Sequence, residues 1–227
     1  MEKLSSRNLK KKVLELLRSQ DFESSLERLE QFPGRLVINT LLYLLLDHDE
    51  LTKWRAVTGI GLVVSRLSDQ DIEAARVIMR RLMWSLNDES GGIGWGAPES
   101  MSEIMARSPR IADEYHTILI SYLNEDGNFL EYKPLQRGLL WGVARLASVR
   151  PDLLRSAVTH LNKYLESEDP SIRAFSGMSL CLLGTEDRKP LLEKLLQDHA
   201  EFKTFFNNEI STFKVSELIE KVVHSTS

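Results

Sequence analysis

Apolar residues recur every three or four positions along almost the whole chain, as in Leu9, Val13, Leu16 and Leu17. That spacing places them on one face of an α-helix. The pattern predicts helices near 6–18, 22–31, 35–46, 51–67, 69–87, 98–107, 109–124, 134–148, 151–166, 170–183, 186–206 (with a break) and 214–224. Strand-type alternation is nearly absent, and Ser108-Pro109 and Asp169-Pro170 each set a capping residue before a proline suited to the first helical turn. The expectation is an all-α chain without a sheet.

The helices fall into pairs in which the first ends in a leucine and the second carries small residues along one side. The closing leucines are Leu46, Leu86, Leu123 and Leu165, at intervals of 40, 37 and 42 residues. One hairpin of about 40 residues cannot bury its apolar face alone, whereas a stack of them shares one core. Gly59, Gly138, Gly142 and Gly177 lie within predicted helices, where each weakens a free helix by about 1 kcal/mol relative to alanine, so they mark close approach between helices. The clearest copy runs from Leu161 to Gly184, with Asp169 and Pro170 in its turn and Ile172-Arg173-Ala174 opening its second helix. It resembles the HEAT repeat. A second copy, Leu42 to Asp47 followed by Trp54-Arg55-Ala56, keeps the arginine and lacks the proline. The resemblance implies a right-handed α-α superhelix, a HEAT-like solenoid of about five to six helical hairpins, in which Arg55 and Arg173 hold neighbouring turn carboxylates. The chain then reads as a single HEAT-like domain over 1–227, with units near 1–32, 35–67, 69–107, 109–148, 151–184 and 186–224.

Two turns depart from the repeat. Arg173 follows Leu165 by eight residues and Arg55 follows Leu46 by nine, but Arg137 follows Leu123 by fourteen. In the repeat whose first helix closes at Leu86 the excess is the stretch Asp88-Glu-Ser-Gly-Gly-Ile-Gly-Trp-Gly-Ala-Pro98. A phosphate-binding loop needs a preceding strand or a following Lys-Ser/Thr pair. Here a helix precedes and Pro98, Glu99 and Ser100 follow. The stretch is therefore an enlarged turn between the two helices of a repeat. Glycine conformations could tuck Trp95 into the core, or turns 88–97 and 125–133 could together form a binding rim, since lengthened turns are where repeat proteins place binding faces. Trp84, Asp88, Trp95, Glu99, Phe129, Tyr132, Arg137 and Trp141 are the candidate partner-binding residues of that rim.

Composition narrows the chemistry. With 29 basic and 33 acidic side chains the net charge is -4, which is not the basic field that nucleic-acid binders use. One cysteine, Cys181, excludes an internal disulfide, and the five histidines have no partner at ligand spacing. Glu99, Glu103 and Arg107 read as a charge ladder on a solvated helix face. No apolar run approaches the roughly 20 residues of a membrane span, and the chain start lacks signal-peptide order, so the expected location is cytoplasmic. No nucleophile motif, metal set or cofactor motif is apparent.

The reading is a non-enzymatic scaffold that binds a protein partner through its concave helices and enlarged turns. Two resemblances imply other functions. Phycobilisome lyase-type repeat proteins imply an accessory to bilin or tetrapyrrole attachment, although their repeats are nearer thirty residues. DNA alkylation repeat glycosylases imply a DNA binder, which the net charge and the lack of a basic stripe oppose.

Overall fold

The computed structural model describes residues 6–87, 94–184 and 193–226, and within these most of the chain is helical. Helices α1 (Ser6–Leu17), α2 (Phe22–Leu29), α3 (Gly34–Leu44), α4 (Glu50–Gln70), α5 (Ile72–Leu86) and α6 (Ala97–Arg107) follow one another in the first half. Then come α7 (Pro109–Ser121) and α8 (Lys133–Ala147), and next a helical stretch in which a central α turn, α9 (Val158–Leu161), is flanked by 3-10 helices at Pro151–Ala157 and Asn162–Glu166. The chain ends with α10 (Pro170–Leu182), strands β1 (Glu201–Phe206) and β2 (Glu209–Lys214), and α11 (Val215–Thr226).

Aspartates start the helices. Asp21, Asp49, Asp71 and Asp169 each accept a backbone N–H in the first turn of α2, α4, α5 and α10, satisfying donors that the helix leaves free. The boundaries agree with the periodic pattern to within a few residues except in two places. The span 151–166 is a composite of 3-10 and α turns. The helix expected over 186–206 gives way at its C-terminal end to β1, which pairs with β2. The expectation of no sheet is thereby corrected. Asn207 and Asn208 adopt φ of 50° and 65° between the strands, the left-handed pair that a two-residue hairpin turn requires and that asparagine tolerates. Phe202, Thr204 and Phe205 are buried along β1, and Phe206 meets Phe213 edge to face at 5.3 Å.

The chain divides into two compact units, residues 1–111 with Asn207–Glu209, and residues 112–206 with 210–227. In the first, α4 is the central element and packs against α1, α2, α3, α5 and α6. Val37, Leu41, Ile60, Val64, Met79, Met101 and Ile104 form its core, all essentially without solvent contact. In the second, α10 packs on α8 and on α11, around Leu139, Val143, Leu161, Leu180 and Ile219.

The arginines hold the turns, with one change of partner from the sequence reading. Arg173 Nε donates to Asp198 Oδ2 at 2.7 Å and its Nη1 to the Ser167 carbonyl at 2.6 Å. Arg137 on α8 pairs with Asp169, which also accepts Ser171 N at 3.0 Å and the Ser171 hydroxyl at 2.6 Å. Arg55 does not take a turn carboxylate. It is 6% exposed and donates to the carbonyls of Leu17 at 2.9 Å, Ser19 at 2.7 Å and Asn208 at 3.3 Å. The reason is its direction, toward the C-terminal end of α1, where carbonyls lack helical donors. Arg18 takes the turn carboxylate of Asp47 instead, at 3.1 Å.

Asp169 therefore joins a helix cap to an ion pair. Asp169→Ala is expected to lower stability by about 2 kcal/mol or more, since a lost cap alone costs about 1 kcal/mol and Arg137 loses its partner as well. Asp152→Ala, which breaks an exposed i, i+3 pair with Arg155, should change stability by less than about 0.5 kcal/mol. Urea unfolding of both variants checks the contrast, and equal losses would refute the double role of Asp169.

Candidate functional site

The enlarged turns are built differently. In the first unit α5 ends at Leu86 and α6 begins at Ala97, and residues 94–97 are the described part of the turn between them. Gly96 caps α6 with φ of 72°, a left-handed conformation that costs glycine nothing. Trp84, in the last turn of α5, and Trp95, within the turn itself, are 72% and 38% exposed. Asp88 and the stretch 91–93 lie outside the described residues.

In the second unit the turn from Ser121 to Lys133 is held by its own polar groups. Gly127 N donates to the Asn124 carbonyl at 2.9 Å, Leu130 N to the Tyr122 carbonyl at 3.2 Å, and Gln136 Nε2 to the Leu130 carbonyl at 2.7 Å. Lys163 Nζ reaches Glu125 at 2.8 Å and lies 4.4 Å from the centroid of Phe129. Phe129 is thus half-buried under a lysine, and its ring helps to close the turn. Tyr132, the residue before α8, is 47% exposed. Arg137 and Trp141 follow on α8 one turn apart, the first exposed and the second half-buried. Arg137 is engaged by Asp169 yet keeps 56% of its side-chain surface in solvent.

Glu99 departs from the sequence reading, and so does the ladder it was assigned to. Helix α6 is buried on nearly every side, including Ser100, Ser102 and Glu103. It lies between α4 and α5, so the polar face that the spacing suggested is turned inward. Glu103 is 4% exposed, its stem pressed on Gly61, where a Cβ would collide with Glu103 Cγ. Its charge is met by Arg107 Nε at 2.6 Å. Among the described residues Glu99 meets no such cation. Part of the residue reaches solvent, but Oε2 does not and has no hydrogen-bond partner. Loss of water pushes its carboxyl up to about 7, with its own backbone N–H pulling the other way. The hydroxyls of Ser100 and Ser102 are also buried without partners. Cys181 is half-buried and its thiol is pushed up by burial, which leaves little thiolate for reaction.

Among the described residues no group of three or more His, Cys, Asp or Glu side chains is arranged to hold a metal ion. No described helix is long and apolar enough to cross a membrane. Sequence reasoning selected Glu99 but missed its burial, and it missed Asp198 and the hairpin. Phe-Lys-Thr-Phe-Phe-Asn-Asn-Glu-Ile-Ser-Thr-Phe-Lys over 202–214 carries the available signal for the hairpin, two β-prone runs around a polar pair.

The isolation of Glu99 sets a pH dependence. In the unfolded chain its carboxyl titrates near 4.3, so between that value and about 7 the folded state holds more protons and stability falls as pH rises. Glu99→Gln should raise stability above about pH 7 by an amount on the order of 3 kcal/mol and change it little below about pH 4.5. Thermal melts across this range check it, and equal gains at both ends would refute a titrating Glu99 as the cause.

No protein-family model matches the chain. A relative in Archaeoglobus fulgidus, an uncharacterized protein, is 26% identical over 191 residues, covering 84% of this chain and 94% of that one. Among solved structures, an engineered protein aligns over 96% of this chain and 95% of its own at 16% identity with a TM-score of 0.52. Computationally designed armadillo repeat proteins for modular peptide recognition align over 96% of this chain and 99% of theirs, at 17% identity and a TM-score of 0.50. A designed armadillo repeat protein in complex with the peptide (KR)4 gives the same coverage, identity and score. The chain has the fold of helical repeat proteins of the armadillo and HEAT type.

Proposed function

We propose that the protein is a repeat scaffold that binds a protein partner through its concave helices and its enlarged turns 88–97 and 125–133, and that it performs no catalysis itself. The observation that carries this reading is the pair of exposed tryptophans, Trp84 before and Trp95 within a turn much longer than its counterpart at 45–49. Large aromatic side chains that keep solvent contact beside a turn are characteristic of binding surfaces. Tyr132 at the other enlarged turn and Arg137 and Trp141 on α8 supply the same kinds of side chain. The peptide-binding designs with this fold support the reading by analogy. In this reading Asp88 belongs with Trp84 and Trp95 at the first turn, and Phe129 contributes by shaping the second.

Affinity capture from native lysate with tagged protein tests the proposal. Trp95→Ala and Trp141→Ala should each reduce a specific captured partner about tenfold or more, as truncation of a central aromatic contact does. Because Trp95 is 38% exposed, its truncation should cost clearly less than the 3–5 kcal/mol or so of a core tryptophan. A large loss of stability with unchanged capture would refute the binding role of Trp95.

A further inference from the structure

Helices α1, α3 and α5, the first helices of successive repeats in the first unit, are basic out of proportion to the chain. Together they hold eight arginines and lysines against two glutamates, whereas the second helices α2, α4 and α6 hold five against six acids and the whole chain has a net charge of -4. Large apolar side chains stand in water among these cations. Leu36 and Tyr43 lie two turns apart on α3, and Val77 and Trp84 two turns apart on α5, all four exposed. Such spacing keeps each pair on one outward stripe. Contacts join the stripes into one surface. Lys10 Nζ lies 3.5 Å from the centroid of Tyr43, tying α1 to α3, and Arg81 Nη1 donates to Asn39 Oδ1 at 2.9 Å, tying α3 to α5. Between α3 and α5 runs a recess of about 360 Å³ floored by Ile38 and Ile78, with Arg35 and Arg81 at its lips. Asp71 is held by Arg35, Glu73 by Arg76 and Arg80, and Glu15 by Lys11, so these acids are neutralised from within the surface. Arg81 bonds a neutral amide and Lys10 covers an aromatic ring, so each keeps its charge.

We propose that this face docks the protein on an anionic membrane surface. Leu36, Tyr43 and Val77 enter the headgroup layer, while Lys10, Arg81 and Arg7, which is exposed one turn before Lys10 on α1, hold lipid phosphates around them. A layer of headgroups over hydrocarbon accepts both kinds of side chain at once, aliphatic and aromatic bodies below and cations above. A nucleic acid would engage the cations but leave Leu36 and Val77 without a partner. An acidic protein segment calls for cations fixed at complementary points. Here they stand on long exposed side chains spread over three helices, which suits a fluid layer of phosphates. The face shares only Trp84 with the partner-binding surface proposed above, and its function is separable from that reading.

The full-length protein is sedimented with sucrose-loaded vesicles of phosphatidylcholine alone or with about a third phosphatidylglycerol, at about 0.1 M and about 1 M salt. It should favour the anionic vesicles about tenfold or more over the neutral ones and lose most of that advantage at the higher salt, where charges are screened within about 3 Å. Each cation near an anionic surface favours the bound state about fivefold. Replacing Arg7, Lys10 and Arg81 together by glutamine should therefore lower partitioning about a hundredfold. Replacing Arg155, Lys194 and Lys203 by glutamine removes the same charge from exposed positions of the second unit and should lower it less than about threefold. Leu36→Ser with Val77→Ser should weaken binding about tenfold and leave its salt dependence in place. All these positions are exposed, so each variant should melt within a few degrees of the parent, and Trp95→Ala should leave vesicle binding unchanged. Equal partitioning to the two vesicle types, or an equal loss from the two triple variants, overturns the proposal. So does an absence of vesicle binding together with binding of a Glu-rich helical peptide or a single-stranded RNA that the first triple variant abolishes, which would assign the face to a partner of another class.

Discussion

The second unit depends on one aspartate being used twice. Asp169 caps α10 through Ser171 and Ile172 and at the same time accepts Arg137 from the preceding repeat. A cap acts along the chain and an ion pair acts between repeats, so the same carboxylate that starts a helix also sets where that helix lies on its neighbour. Arg173 and Asp198 repeat the device one unit on, with Asp198 accepting Ala200 N in its own turn at 3.0 Å. Hydrophobic burial gives the stack most of its stability and is nondirectional. These pairs supply what burial cannot, a fixed register between successive helices.

That device also explains how far the fold could be read from residues alone. Periodicity located the helices because amphipathic hairpins must bury one face whatever their partners, and the leucine spacing fixed the repeat. Asp169, Pro170 and Arg173 were identifiable because cap, proline and arginine sit within a few residues of one another. Asp198 was not, since its link to Arg173 spans 25 residues and passes through the segment whose helical pattern misled. The hairpin was hidden for a related reason. Phe202, Phe205 and Phe213 fit a helical stripe nearly as well as a strand face, and only the left-handed pair Asn207 and Asn208 separates the two.

Glu99 and Glu103 were invisible in another way. Their spacing is the same as that of any exposed i, i+4 pair, and nothing local distinguishes a helix flanked on one side from a helix flanked on two. Gly61, forty-two residues earlier, is what allows α6 close enough to α4 to desolvate them. Their fates diverge by the presence of one cation: Arg107 neutralises Glu103, whereas Glu99 Oε2 is buried without a hydrogen-bond partner and loss of water raises its carboxyl. Trp84 and Trp95 present the opposite case, in which the turn that carries them was plain from its glycines while their degree of exposure required coordinates.

The β-hairpin occupies an informative place in the chain. It lies between Asp198, the turn residue that receives Arg173, and α11, the helix that packs on α10. Val215 N and Ser216 N bond back to the carbonyls of Ala200 and Asp198, so the chain leaves the stack and returns at almost the same point. The excursion is thus closed at its base, as the two other long turns are confined between paired helices. Its tip is tied down as well: the Asn208 carbonyl accepts Arg55 Nε at 3.3 Å, so the hairpin's length is set by a buried arginine, and a longer or shorter turn would carry that acceptor out of reach.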